Sequence, residues 1–228
     1  MAKSLGVVIA AAGQGTRMKI PVNKQYVVLE GKPVILYSLE LLAGIEGVIQ
    51  MVVAAHPDEV EYCQRLMPAD RRIKVVPGGR RRQDSVYNAL KCLPKDTELV
   101  AVHDGARPLL CGDMVRALVE AAARWGAAVP GVPVKDTLKM VDEFGLVTAT
   151  LERSRICSIQ TPQVFDYQTL LDAYRQAYAE GVYGTDDASL YERYCGPVKV
   201  VPGDYRNLKI TTAEDLVIAA ALLKSQDG

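Results

Sequence analysis

The hydrophobic positions of this chain fall into two regimes. Through roughly the first 130 residues, short apolar runs alternate with amphipathic stretches. Residues 5–10, 48–54, 73–76, 99–102 and 127–132 are compact apolar runs, the pattern of strands buried on both faces. Between them, residues 33–42, about 57–67, 84–93 and 113–125 carry helical patterning. Pro33 suits a first helical position, and Pro57-Asp58-Glu59 places two acids at the positive end of a helix dipole. The stretch 113–125 has one apolar face and stops at Gly126. This alternation predicts an α/β fold, a Rossmann-like, mostly parallel sheet with helices on both faces. Ligands of such sheets sit beyond the carboxyl ends of the strands. Three strings rich in glycine and charge, 10–26, 77–85 and 103–108, lie at those ends.

The rhythm then changes. Residues 135–141 and 146–151 alternate polar and apolar around Asp142-Glu143-Phe144-Gly145, which predicts a β-hairpin. A lone hairpin is marginal in water, so residues 134–153 are expected to form an arm that packs on another surface, a second subunit being the natural one. Beyond it come a helix at 167–180, a short helix after Thr185, a strand at 198–201 and a last helix. Thr211-Thr212-Ala213-Glu214 has the form of a capping box that opens the last helix. No linker or low-complexity segment interrupts the chain, which reads as one domain of 228 residues bearing an arm.

Composition narrows the function classes. The formal net charge is zero, so an anionic ligand must be met by local clusters, and a general nucleic-acid binder is disfavoured. The five cysteines are widely spaced with no C-x-x-C, which points to reduced thiols in a cytoplasmic protein and to no zinc site. The apolar stretch 5–12 is too short to span a membrane, and no cleavage-site pattern follows it.

The candidate chemistry begins in the string Ala11-Ala12-Gly13-Gln14-Gly15-Thr16-Arg17-Met18. Glycines after a strand let backbone N–H groups approach a phosphate. A dinucleotide fingerprint needs a third glycine where Met18 stands, and Pro21 interrupts any following helix, so a nicotinamide oxidoreductase is disfavoured. No Walker A string exists. What remains is a glycine loop followed by two cations, Arg17 and Lys24, which suits a triphosphate whose charge is neutralised during transfer. The two histidines, His56 and His103, join no Ser/His/Asp pattern, and His103 reads as a packed neighbour.

That string, with Lys24-Gln25-Tyr26, resembles the signature of nucleotidyltransferases that act on sugar phosphates. Within them it is similar to the 2-C-methyl-D-erythritol 4-phosphate cytidylyltransferase family. The likeness continues through Gly78-Gly79-x-x-Arg82-x-x-Ser85-Val86, Val102 to Pro108, Lys135-Asp136-Thr137, Gln160-Thr161-Pro162-Gln163, Thr185-Asp186-Asp187-Ala188-Ser189 and Asn207-Leu208-Lys209-Ile210-Thr211, in order across nearly the whole chain.

The resemblance implies cytidylyl transfer from CTP to a polyol phosphate, with pyrophosphate released, in isoprenoid precursor synthesis. It implies that Arg17 and Lys24 stabilise the transition state. Ala11, Ala12, Gly13 and Gly15 would contact CTP, and Gly79 and Ser85 would seat the base. It also implies Mg²⁺, for which Asp104, ending a strand at the rim, is the candidate ligand. The acceptor phosphate needs its own cations, with Arg107, Arg153 and Lys209 as candidates and Thr137, Thr161 and Thr185 as hydroxyl donors. In the family the hairpin reaches into the other subunit's site, which implies a homodimer. Arg80 and Arg81 depart from the acidic or polar residues also common there. A ribitol-5-phosphate cytidylyltransferase remains the nearest alternative, with a non-catalytic nucleotide sensor disfavoured by the presence of both Arg17 and Lys24.

Overall fold

The computed structural model describes residues 3–13 and 23–225. In chain order the strands are β1 (Leu5–Ala11), β2 (Val28–Leu29), β3 (Lys32–Pro33), β4 (Val48–Ala55), β5 (Ile73–Pro77), β6 (Leu99–Asp104), β7 (Ala127–Pro133), β8 (Lys139–Val141), β9 (Val147–Thr150), β10 (Cys157–Ile159), β11 (Gln163–Asp166) and β12 (Lys199–Pro202). The helices are α1 (Val34–Ala43), α2 (Val60–Leu66), α3 (Arg82–Leu90), α4 (Gly112–Trp125), α5 (Tyr167–Glu180), α6 (Asp187–Tyr194) and α7 (Ala213–Lys224).

The main sheet runs β10-β7-β11-β6-β1-β4-β5, with β12 on β7. β6, β1, β4 and β5 pair in parallel, as does β12 with β7, whereas β11 and β10 run antiparallel to their neighbours. The mostly parallel sheet expected from the alternating pattern is therefore present. Successive side chains of β1 go to opposite faces. Leu5, Val7 and Ile9 join a core with α1, α2 and α4, while Val8 joins a second core with α3, α5 and α6. Both faces are covered, which is why β1 and residues 99–102 of β6 read as unbroken apolar runs. A smaller cluster of Leu29, Val34, Leu109, Ile210 and Ala219 ties α7 to the sheet's side.

Several boundaries differ from the sequence reading. α3 starts at Arg82, before Asp84, because the Asp84 carboxylate accepts the Arg81 backbone N–H at 2.9 Å and so sits inside the first turn. The segment opened by Pro57 is a 3-10 turn, Pro57–Glu59, that passes into α2 only at Val60. The capping box of α7 is Thr212 with Asp215, whose carboxylate accepts the Thr212 N–H at 2.9 Å. β10 and β11 carry no long apolar run and were not anticipated. They flank a cis Thr161–Pro162 peptide bond. The hairpin forms as a separate two-stranded ribbon, β8 with β9, closed where Asp142 Oδ1 accepts the N–H groups of Phe144 and Leu146. None of the five cysteines is in a disulfide. No helix among the described residues is long and apolar enough to cross a membrane.

The two cores carry the stability. Leu118 on α4 and Leu170 on α5 are fully buried, one in each core. Leu118→Ala and Leu170→Ala are each expected to lower the unfolding free energy by about 2–5 kcal/mol. Val217→Ala, on the exposed side of α7, should stay within about 0.5 kcal/mol. Urea titrations of the three variants check this; equal losses at all three positions would contradict the two-core assignment.

Candidate active site

Register decides where the site lies. Ala10 on β1 stands beside Ala54 on β4 and Asp104 on β6, and Ala55 stands beside Pro77 on β5. The chain leaves β1 toward β4 and β5, then returns to the other side of β1 with β6. The carboxyl ends of these strands surround the point where the strand order reverses, which is where open α/β sheets bind ligands. A cavity of about 740 Å³ opens there.

Its walls follow from local chemistry. Ala11, Ala12 and Gly13 continue β1 into the cavity. Gly78 and Gly79 form the facing wall. A Cβ on Gly78 would come within 2.5 Å of Ala12 Cβ, and one on Gly79 would run into Asp84. Both positions therefore bring bare backbone to the ligand space. Ser85 is buried and accepts the Gly79 N–H at 3.0 Å, so it holds that loop in place. Lys24 lines the cavity from a one-turn helix, Lys24–Tyr26. The next residue, buried Gln25, donates to the Ala11 carbonyl at 2.6 Å and pins that turn to the end of β1. Gln25 is a residue whose role sequence reasoning missed. Gly15 and Arg17 lie outside the described residues.

The charge balance of the cavity is one-sided. Among the described residues, Lys24, Arg80, Arg81, Arg82 and Lys209 line it, against Asp104 as its only carboxylate. A chain with zero net charge has gathered five cations at one place. Arg81 stacks on the Tyr183 ring, 3.6 Å from its centroid, which gives the open side of the cavity an aromatic-backed guanidinium.

Asp104 is the hub. Its Oδ1 accepts from Arg82 Nε at 3.0 Å and its Oδ2 from Lys209 Nζ at 2.7 Å. Burial by itself would raise the Asp104 carboxyl; Arg82 and then Lys209 overrule it and hold it well below the usual carboxylate range. The rest of the Arg82 fork grips Asp187, through Nη1 at 3.1 Å and Nη2 at 2.8 Å. Asp187 is fully buried at the start of α6 and takes a further hydrogen bond from the Tyr174 hydroxyl. Burial disfavours the charged Arg82, but Asp187 and Asp104 outweigh it and raise its pKa well above the ordinary value. From the sequence Arg82 reads only as part of an Arg80-Arg81-Arg82 solvated loop or triphosphate rim, and Asp187 has no role, although both sit inside quoted motifs.

The acceptor-side candidates are not gathered into this cavity. Lys209 lines it; Arg107 lies beside it and donates from Nη1 to the Asn207 carbonyl at 2.6 Å. Thr161 is buried, its hydroxyl oxygen 3.0 Å from the Asp104 N and 3.2 Å from His103 Nδ1. Thr185 is exposed, and Asp186 rather than Thr185 caps α6. Thr137 is exposed at the base of the arm. Arg153 is exposed at the other base and donates from Nη1 to the Lys135 carbonyl at 2.5 Å.

A cation-lined cavity at the switch point of a parallel sheet, floored by glycines whose backbone faces the ligand, defines an α/β nucleotidyltransferase. The chain belongs to the 2-C-methyl-D-erythritol 4-phosphate cytidylyltransferase family, whose family model matches residues 5–225. It is 44% identical over 225 residues to the protein of that name from Caldanaerobacter subterraneus, covering 97% of this chain and 99% of that one. It is 45% identical over 224 residues to the one from Desulforamulus reducens, covering 96% of each. Among solved structures, the 4-diphosphocytidyl-2C-methyl-D-erythritol synthase of Anaerococcus prevotii superposes with a TM-score of 0.87 at 30% identity, over 98% of this chain and 97% of that one. The 2-C-methyl-D-erythritol 4-phosphate cytidylyltransferase of Thermus thermophilus gives 0.81 at 32% identity, over 97% and 99%.

One titration isolates this region. Burial pushes His103 down from 6.5 to about 4, with Asp104 and Arg107 as its charged neighbours. The unfolded chain therefore takes up this proton first as pH falls, and stability is lost between pH 6.5 and 4 while staying flat above. By pH 4 the loss attributable to His103 should reach about 3 kcal/mol. Urea unfolding at pH 7 and 4.5 should give a smaller difference for His103→Asn than for the wild type. An equal pH dependence in both would contradict a neutral buried imidazole.

Proposed function

We propose that this chain transfers the cytidylyl group of CTP to 2-C-methyl-D-erythritol 4-phosphate, giving 4-diphosphocytidyl-2-C-methyl-D-erythritol and pyrophosphate in isoprenoid precursor synthesis. The observation that carries the reading is the family match over residues 5–225, laid on a cavity with five cations against one carboxylate. An acceptor phosphate oxygen, already anionic at neutral pH, attacks the α-phosphorus of CTP. A P–O bond forms there, the bond to the β-phosphate bridging oxygen breaks, and pyrophosphate leaves with that electron pair. No general base is required, so the chain's task is positioning and charge neutralisation. Lys24 and Arg17 meet the charge that develops at the α-phosphate. Ala11, Ala12, Gly13 and Gly15 hold the nucleotide by backbone contact, and Gly79, kept in place by Ser85, supports the base.

A magnesium ion fits the donor set. Asp104 is ionised and lines the cavity, with Arg82 on its Oδ1 and the 37% exposed Lys209 side chain on its Oδ2, so Lys209 would move from Oδ2 toward a phosphate as the ion took its place. Mg²⁺ is commonly held by one or two carboxylates together with substrate phosphates and water. When bound, the ion would supply neutralisation of the triphosphate oxygens. Lys209 and Arg107 serve the acceptor phosphate, with Thr185 at the edge. The reduced thiols suit a cytoplasmic enzyme.

The arm completes the site in a homodimer. Met140, Phe144, Leu146 and Val147 are 53%, 80%, 65% and 60% exposed on a ribbon too small to stand alone. Thr137 and Arg153 at its two bases lie off their own cavity, which supports their delivery to the neighbouring one by two-fold exchange.

Pyrophosphate release should be fast with CTP and 2-C-methyl-D-erythritol 4-phosphate, slow with ribitol 5-phosphate, and weaker with ATP or GTP. Preference for ribitol 5-phosphate would overturn the acceptor, and tight NAD binding without CTP binding would overturn the class. Lys24→Ala should cut turnover by about 100-fold or more while CTP still binds in calorimetry.

The dimer reading has its own check. Lys24→Ala and Arg153→Ala, each inactive alone, should regain up to half the wild-type dimer's activity in a verified mixed dimer, since one of its sites keeps both side chains. A mixed dimer with no recovery would mean that Arg153 does not act across the interface.

A further inference from the structure

His103 is fully buried on β6 and plays no part in the chemistry above. Its two ring nitrogens are nevertheless both engaged. Thr161 Oγ1 lies 3.0 Å from the Asp104 nitrogen and accepts that N–H. The same hydroxyl oxygen lies 3.2 Å from His103 Nδ1. The Arg107 carbonyl, 3.3 Å from His103 Nε2, can only accept, which places the proton of a neutral ring on Nε2 and leaves Nδ1 to accept from the Thr161 hydroxyl. The circuit closes through Asn207, also fully buried. Arg107 Nη1 donates to the Asn207 carbonyl at 2.6 Å, and Asn207 Nδ2 donates to the Thr161 carbonyl at 2.9 Å. Within the short turn from Asp104 to Arg107, the Arg107 N–H also bonds the Asp104 carbonyl at 3.1 Å.

We infer that His103, donating from Nε2 to the Arg107 carbonyl and meeting the Thr161 hydroxyl at Nδ1, is a positioning residue that fixes the turn carrying Asp104 and Arg107. Thr161 belongs to the same circuit and acts through it, not by touching the acceptor phosphate. The burial that keeps the ring neutral agrees with this arrangement, and the geometry specifies the tautomer independently. The kinetic consequence rests on the transferase reading; the hydrogen-bond circuit does not.

The tests separate the two. With only His56 and His103 in the chain, nitrogen-detected spectra of histidine-labelled wild-type protein resolve both rings. His103 should report the Nε2–H tautomer at neutral pH, and a proton on Nδ1 would overturn the inference whatever the activity. In kinetics, Thr161→Val should lower kcat about tenfold or more and leave the KM for the polyol phosphate within about threefold. Thr161→Ser, which returns the hydroxyl, should recover most of that loss. Combining Thr161→Val with His103→Gln should cost little more than the worse single change, because both break one circuit. A tenfold rise in the polyol-phosphate KM with unchanged kcat would place the Thr161 hydroxyl on the acceptor and overturn the inference, as would fully additive losses. If a variant fails to fold, the wild-type tautomer still decides. If the wild type releases no pyrophosphate from CTP with any polyol phosphate, the functional reading fails and the tautomer is judged by itself.

Discussion

The Arg82 guanidinium is held between two carboxylates, Asp104 and Asp187, that stand 22 and 105 positions from it along the chain. Most of the site's geometry depends on that one fork. A buried ion pair gains little stability over well-packed apolar side chains, because desolvation offsets the attraction, yet losing one partner strands the other at a cost of about 3–5 kcal/mol. The arrangement is therefore better understood as a constraint on position. Arg82 begins α3 directly after the glycine wall, Asp104 ends β6, and Asp187 begins α6. The fork joins the glycine wall of the cavity to the segment that follows Thr185, and it turns Asp104 so that its second oxygen meets Lys209.

The remaining walls obey a steric constraint. The parallel ends of β1, β4 and β5 bring Ala12 and Gly78 so close that no second Cβ fits between them. Bare backbone, and not side chains, thus lines that side, its Gly78 and Gly79 N–H groups held by the Ala55 carbonyl and the Ser85 hydroxyl, while long cations reach in from the loops. A close-packed backbone wall facing a set of cations suits a polyanionic ligand whose reaction needs alignment and neutralisation without proton abstraction.

The arm stands apart from this economy of contacts. Its apolar side chains are uncovered, and Thr137 and Arg153 at its bases do not line the cation-rich cavity of their own chain. Exchange between two copies would satisfy both features at once, covering apolar surface and bringing Arg153 to the neighbouring cavity.

Sequence by itself determined the parallel framework, because a strand buried on both faces is mostly apolar, as β1, β7, most of β4 and the first four residues of β6 are. It also located the strand-end loops, since only glycine tolerates the close approach found at Gly78 and Gly79, and it marked the hairpin by alternation around Asp142–Gly145. Lys24, Asp104 and Lys209 were legible as cavity residues through their motifs. It did not disclose β10 and β11, whose short mixed runs pair only because β7 and β6 offer open edges. Nor did it disclose Arg82, Asp187, Gln25 or Asn207 as organisers of the site. A polar residue becomes an organiser when burial removes its water and leaves one protein partner in reach. For Arg82 with Asp187, and for Asn207 with Thr161, that partner lies 105 and 46 positions away in sequence. Local pattern carries no record of such pairs; only the packed tertiary structure, which excludes solvent and fixes distance, decides them.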